Sequence, residues 1–352
     1  GRELDVVTHK HAKCPGPQRR GDPNCINQHK KMKRARVAAK PKVPSTEARS
    51  RRRTALAVAT VMHTATAEGH KLFGLGENLV RATVLRRPSA RNKSPYVGDV
   101  TLPCGRVAIA HMPSLDLGGK CVAGAECLLR TQIDKATGLP LGPDATGKYG
   151  TPKCEYIMQL VRCVEPENGP GGCWVGAHPS LGEKAAIALF ADSQGLVEEV
   201  GGGPIEKIEK EVTGVAGTDM RCDFLLTHAD GKKTVVEVKT VVDTDYDPAL
   251  SPDKMFLGRS VPYERAAIFP WGRSAQEGPD GEKVVSARAI KHVRELTAIA
   301  KGEKTLDGGE RLSACVLFIV VRRDATVFRP NREACPSFAR YLTEAAAAGV
   351  KV

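Results

Sequence analysis

The chain has 352 residues, 41% of them hydrophobic and 26% charged, with a formal net charge of +13, which allows two domains with ordinary globular cores and a tail. No apolar run approaches the roughly 18 residues of a membrane-spanning helix, so no membrane partner is expected. The charge is unevenly placed: residues 1–53 hold 16 Lys/Arg against 4 Asp/Glu, a net of +12, and the rest of the chain is near neutral at +1.

Residues 1–53 read as an extended basic arm, with Lys30, Lys31, Lys33, Arg34 and Arg36 in one cluster and Arg51, Arg52 and Arg53 in another. A basic arm on a neutral body is the electrostatic footprint of a polyanion, most often nucleic acid. A solvated tail or the remnant of an organellar transit peptide would give the same composition. The chain starts at Gly1 rather than Met, in keeping with processing or truncation. The order His11-x2-Cys14-x10-Cys25-x3-His29 could supply four ligands to tetrahedral Zn²⁺. Chance clustering explains it equally, because the spacing matches no standard finger. The eleven cysteines are odd in number, include no CxxC and follow no secretory signal, which fits an intracellular, reducing compartment.

Residues 54–76 are rich in Ala, Val and Thr and predict a connector helix. Five short apolar runs follow within residues 77–170: 79–85, 96–102, 106–111, 127–130 and 156–161. Strands so short and so closely spaced predict a small closed barrel of OB type, with a polar Gly/Pro-rich loop at 133–152. Arg86 and Arg87 end the first strand and are candidate phosphate contacts; His111 is read as a barrel-rim residue.

From residue 171 to 352 helix and strand patterns mix. A helix at 181–190 and a strand near 205–212 precede a hairpin, whose arms are Met220–Leu226 and Thr234–Val242 around Asp230-Gly231. Side chains alternate along a strand, so Glu237 and Lys239 share a face. A three-residue loop centred on Asp230 would set Asp223 opposite Glu237; a two-residue loop would offset them by one. Either register gathers two acids and a lysine. Two carboxylates can hold Mg²⁺ or Mn²⁺, and a lysine beside them can steady a hydroxide or phosphate. An ordinary half-exposed hairpin would carry the same residues. Residues 245–284 predict a long loop. A helix at 286–301 carries Lys291 and His292, which could face a phosphate or simply solvent. A buried strand at 314–321 and a helix at 336–348, stopped by Gly349, complete the series. The order helix, strand, hairpin, helix, strand, helix predicts a restriction-endonuclease-like PD-(D/E)XK α/β domain after the OB-like barrel.

From about residue 77 onward the chain resembles the sugar-fermentation-stimulation (SfsA) family. The matching stretches are Tyr96–Val100, His111–Pro113, Gly124–Glu126, Trp174–Gly176, Arg221–Leu226, Val236–Val241, Lys291–Leu296, Phe328–Asn331 and Glu344–Val350. The resemblance implies an OB-like domain, a PD-(D/E)XK-like domain, nucleic-acid binding and metal-dependent nuclease chemistry. The chain departs from the family pattern in four places, one of them a Gly displaced from its position before Lys291-His292. Ser114-Leu115-Asp116 replaces Asn-Thr-Gly after His111-Met112-Pro113. Ile187 and Ala188 stand where the family helix carries acids, leaving Glu183, one turn earlier, as the candidate third carboxylate. Trp271 follows Phe269-Pro270 where the family has Asp. Asp223, Glu237 and Lys239 survive.

Three functions fit. The first is an RNA-binding structural subunit of a large ribonucleoprotein assembly, such as a mitochondrial or other organellar ribosome, with neighbouring proteins as partners and a nuclease-like fold kept as scaffold. The second is an active Mg²⁺- or Mn²⁺-dependent nuclease that uses Asp223, Glu237, Lys239 and Glu183. The third is a protein–protein module carrying a targeting remnant. Aromatic residues make up only 5% of the chain, so backbone and shape contacts should outweigh base stacking.

Overall fold

The computed structural model describes residues 71–76, 78–114, 117, 119–164, 172–191, 203–245, 265–325 and 327–352. Most of the expected connector helix lies outside these residues, and 71–76 are not helical.

The first layer is a barrel of β1 (Val80–Arg86), β2 (Val97–Thr101), β3 (Val107–His111), β4 (Glu126–Thr131) and β5 (Tyr156–Cys163). β1 pairs antiparallel with β2 and β4, β2 with β3, and β4 with β5. A parallel contact between β3 and β5, at Ala110↔Tyr156 and His111↔Ile157, closes the ring. The result is a closed five-stranded, OB-like barrel. Alternation builds its interior: Ala82 and Val84 are buried between exposed Arg81, Thr83 and Leu85. Val100, Ala108, Leu129, Met158 and Val161 fill the rest of the core. A further strand, β6 (Cys173–Gly176), pairs with β5, so the barrel's sheet continues past the expected boundary at residue 170.

The chain then enters a helix, α1 (Ser180–Ala191), and a meander of β7 (Ile205–Thr213), β8 (Arg221–His228) and β9 (Lys233–Val241). β10 (Asp243–Thr244) and β11 (Ala266–Phe269) follow, and β12 (Gln276–Glu277) pairs with β13 (Lys283–Val284) as a small hairpin. β11, β12 and β13 lie in the described part of the expected 245–284 loop. α2 (Ala287–Lys301), β14 (Ser313–Val320), β15 (Val327–Pro330) and α3 (Pro336–Ala347) complete the chain. The main sheet has the order β14-β9-β8-β7, with β9 and β14 parallel. A parallel pair needs a crossover, and α2 lies within it. β10, β11 and β15 form a second, three-stranded sheet.

Local chemistry fixes the ends of α2. Ser286 caps it by accepting a 3.2 Å hydrogen bond from Ala289 N, and Gly302 ends it in the left-handed region at φ 75°. The two faces of the main sheet carry separate cores. Phe224, Leu226 and Val236 pack against Ala186 and Phe190 of α1. On the other face, Val235 and Val316 pack with Ile290, Val293 and Leu296 of α2 and with Phe338 of α3. A buried ion pair, Lys120 Nζ to Asp243 Oδ1 at 2.6 Å, ties a barrel loop to β10. Among the described residues no helix is long and apolar enough to cross a membrane.

α1 approaches β9 closely because Gly182 has no side chain. A methyl group there would collide with Thr240 Oγ1 and come within 3.2 Å of Thr240 Cβ. Gly182→Ala should therefore destabilise the chain by about 2 kcal/mol through overpacking, despite the better helix propensity of Ala. Adding Thr240→Ala should recover most of that loss. Urea denaturation of the single and double variants checks this.

Candidate active site

The turn between β8 and β9 sets the site. His228 N donates to Lys232 O at 2.8 Å, and Gly231 N donates to His228 O at 2.8 Å. This leaves a three-residue loop, Ala229-Asp230-Gly231, with Gly231 at φ 79°, a conformation that favours glycine. The ladder runs Thr227↔Lys233, Leu226↔Thr234, Leu225↔Val235 and Phe224↔Val236. One step further, Asp223 stands opposite Glu237, and Asp223 Oδ2 accepts a 2.7 Å hydrogen bond from Val238 N. Of the two registers the sequence allowed, the structure has the one that aligns the acids.

Glu237 is 3% exposed. Its Oε1 accepts from Lys239 Nζ and from His292 Nδ1, the latter at 2.6 Å. Its Oε2 is buried and has no hydrogen-bond partner. Burial pushes this carboxyl up, but the hydrogen bond from His292 and the charge of Lys239 outweigh it and hold Glu237 below the usual carboxylate range. Asp223 is raised instead, first by burial and then by the negative charge of Glu237.

Among the described residues no group of three or more His, Cys, Asp or Glu side chains is placed to hold a metal ion. The carboxylate pair nevertheless fits a hard divalent cation. Such an ion can be held through one or two carboxylates with water completing its shell. The unpartnered Glu237 oxygen and the raised Asp223 carboxyl are what a cation between them would satisfy.

Several expectations change. Glu183 does not join this group. α1 packs on the face of Phe224 and Val236, whereas Asp223 and Glu237 lie on the face covered by α2. Glu183 is exposed on α1 and faces Lys210 of β7 at 3.7 Å. His292 is not a solvated phosphate contact; it is 4% exposed and bonded to Glu237. Its place was readable, because residue 292 falls on the same helical stripe as buried Ala289, Leu296 and Ile299. Lys291 stays on the surface, 2.6 Å from Asp219, in a groove beside α2 that Arg221, Arg288, Arg294 and His292 also line. Arg86 is held by buried Asp99 at 2.8 Å. Arg87 donates to the carbonyls of Pro95, Ser114 and Met112, a structural use of its guanidinium. Lys30, Lys31, Lys33, Arg34, Arg36, Arg51, Arg52 and Arg53 lie outside the described residues, as does the candidate zinc set His11, Cys14, Cys25 and His29.

An OB-like barrel joined to an α/β region with an acid–acid–lysine site is a recognisable class of architecture, and comparison with known proteins agrees with it. The family description "Sugar fermentation stimulation protein RE domain" matches residues 279–352. A sugar fermentation stimulation protein homolog of Maricaulis maris is 30% identical over 257 residues, covering 73% of this chain and 82% of that protein. Homologs of Thioalkalivibrio sulfidiphilus and Geotalea uraniireducens are 29% and 26% identical, each over 78% of this chain and over 86% and 88% of their own lengths. A solved structure of Pyrococcus furiosus SfsA in complex with Ca²⁺ superposes with a TM-score of 0.52 at 20% identity, covering 80% of this chain and 90% of that one. The chain belongs to the sugar fermentation stimulation protein family.

The carboxylate pair has a consequence for stability. The raised Asp223 means that its charged form is disfavoured in the folded state. That penalty is absent below the unfolded-state pKa, develops as pH rises through the interval up to the folded value, and is complete above it. In EDTA at neutral pH, Asp223→Asn should therefore be more stable than the unmodified chain, by about 1 kcal/mol. Thermal melts at stepped pH should show this gain shrinking as the medium is acidified.

Proposed function

We propose that this protein binds nucleic acid and carries a metal-dependent phosphodiesterase site of PD-(D/E)XK type at Asp223, Glu237 and Lys239. The observation that carries this reading is the buried Glu237 carboxylate, with one oxygen engaged by Lys239 and His292 and the other unpartnered beside Asp223. The strand order β14-β9-β8-β7, with only β8 reversed and a helix between β9 and β14, supports the same assignment. The Ca²⁺ of the Pyrococcus furiosus structure is a hard, oxygen-seeking ion of the kind this pair would take.

Asp223 and Glu237 would hold Mg²⁺ or Mn²⁺. When bound, the ion supplies Lewis acidity to a phosphoryl oxygen and lowers the pKa of water. The protein's own groups do the positioning. Val238 N fixes Asp223, and His292 fixes the orientation of Glu237 and its charge. Lys239 sits with its ammonium at the same carboxylate, where it can steady an incoming hydroxide or a phosphate oxygen. The groove beside α2 is lined by both signs of charge, Arg221, Arg288 and Lys291 among acids such as Asp219, Glu295 and Glu344, and it touches the site only through His292.

Purified full chain should cut labelled RNA or DNA in Mg²⁺ or Mn²⁺ but not in EDTA. Glu237→Ala and Lys239→Ala should each slow cutting by at least about 100-fold, which corresponds to about 2.7 kcal/mol of lost transition-state stabilisation, while leaving the fold intact. Calorimetric Mn²⁺ binding should be lost in Glu237→Ala. Equal cutting by the variants, or no cation binding by the unmodified chain, overturns the site.

A second reading rests on the +12 charge of residues 1–53: an RNA-binding subunit of a large assembly, with the α/β region as scaffold. Under it, deleting 1–53 should weaken RNA binding strongly and flatten its salt dependence by about 0.7–0.9 per lost phosphate contact. Unchanged affinity after the deletion would remove this reading.

A further inference from the structure

A separate concentration of positive charge lies on the outside of the barrel near the start of α1. β3, β5 and β4 run side by side there. The pairings His111↔Ile157 and Ile157↔Arg130 place His111 and Arg130 in one row across three strands. The neighbours Ala110, Met158 and Leu129 fill the barrel interior, so by alternation this row faces outward. β6 brings the chain back to the same rim, where Ala177 N donates to Gln159 O at 2.8 Å. The next residue is His178. Its Nδ1 accepts from Ser180 N at 3.2 Å and lies 2.7 Å from Ser180 Oγ. With Nδ1 occupied as an acceptor, the neutral ring carries its proton on Nε2, which is left as a donor. Lys184 stands one turn into α1 from Ser180.

Among the described residues no carboxylate acts on the His111 or His178 imidazole. Burial, then the positive charges of Lys184, Arg130 and His111, hold the His178 imidazole below its ordinary range. Burial and the charge of Arg87 do the same to His111. Among the described residues neither Arg130 nor Lys184 takes part in an ion pair, and both are exposed. Other cations of the body are paired, as at Lys120–Asp243, Arg265–Asp324 and Arg329–Asp245. Cations gathered without counter-charge repel one another, and an anion seated among them removes that repulsion.

We propose that His111, Arg130, His178 and Lys184 form an anion site that seats one backbone phosphate of a bound nucleic-acid strand. Arg130 and Lys184 supply charge, and His178 Nε2 donates a hydrogen bond. The proposal rests on the nucleic-acid reading above but not on the carboxylate site, which lies on the opposite face of the main sheet from α1.

The test is fluorescence anisotropy of the full chain with a labelled single-stranded RNA across a NaCl series. The Arg130→Ala/Lys184→Ala double variant should bind about tenfold more weakly, with a salt slope shallower by about 0.7, because one charge-assisted phosphate contact to a single strand is lost. Lys207→Ala/Lys283→Ala removes the same net charge from exposed positions on β7 and β13 and should leave the slope unchanged. An unchanged slope in the first double variant, or an equal loss in both, overturns the site while the nucleic-acid reading stands. Failure of the unmodified chain to bind RNA or DNA at low salt overturns both together.

Discussion

Burying a carboxylate costs several kcal/mol unless other charges and hydrogen bonds compensate it, and Glu237 is compensated on one oxygen only. Much of the α/β region is arranged around that imbalance. The three-residue turn at Ala229–Gly231 fixes the register that sets Asp223 opposite. The side-chain period of two puts Lys239 on the same face. The helix after the hairpin delivers His292 from above. Remove any of these and Glu237 is left as a buried charge without enough partners. Together they leave one coordinating direction open, beside a second carboxylate whose own ionisation is disfavoured. The same geometry is unfavourable for stability, and under the proposed function a divalent cation would relieve it, the kind of conflict found at functional sites.

The surrounding architecture encloses this face of the sheet, where Glu237 and His292 are both buried. α1 covers the opposite side with Leu181, Gly182, Ala185, Ala186 and Phe190, closely enough that Gly182 rests against Thr240. α2 crosses the active face with its apolar stripe inward and its basic residues along a groove. The barrel is joined through the buried Lys120–Asp243 pair, a contact that is costly to break because either partner alone would remain desolvated.

Much of this was legible in the residues. The five barrel strands, the hairpin, the three helices and the buried strand expected at 314–321 announce themselves by period, capping and turn chemistry, all of which act within a few residues. Asp230-Gly231 and the alternation of Glu237 and Lys239 marked the candidate site for the same reason. β6 and β15 escaped because four residues carry too little pattern to count, and β10 to β13 because strands of two to four residues exist only through their partners. Glu183 was misplaced for a different reason. Helical periodicity tells which side of α1 is apolar, but not which face of the sheet that side will cover.

The sequence by itself therefore determined the elements, the uneven charge and the acid–acid–lysine pattern, because backbone preference and side-chain period are local. Only the tertiary structure decided that β3 meets β5 to close the barrel, that α1 and α2 lie on opposite faces, and that His292 rather than Glu183 reaches the carboxylates. Those outcomes depend on contacts between residues up to about sixty positions apart, as in the His292–Glu237 pair with its separation of 55. Such contacts form only when apolar faces find each other, and no local rule encodes which of two faces a helix will choose.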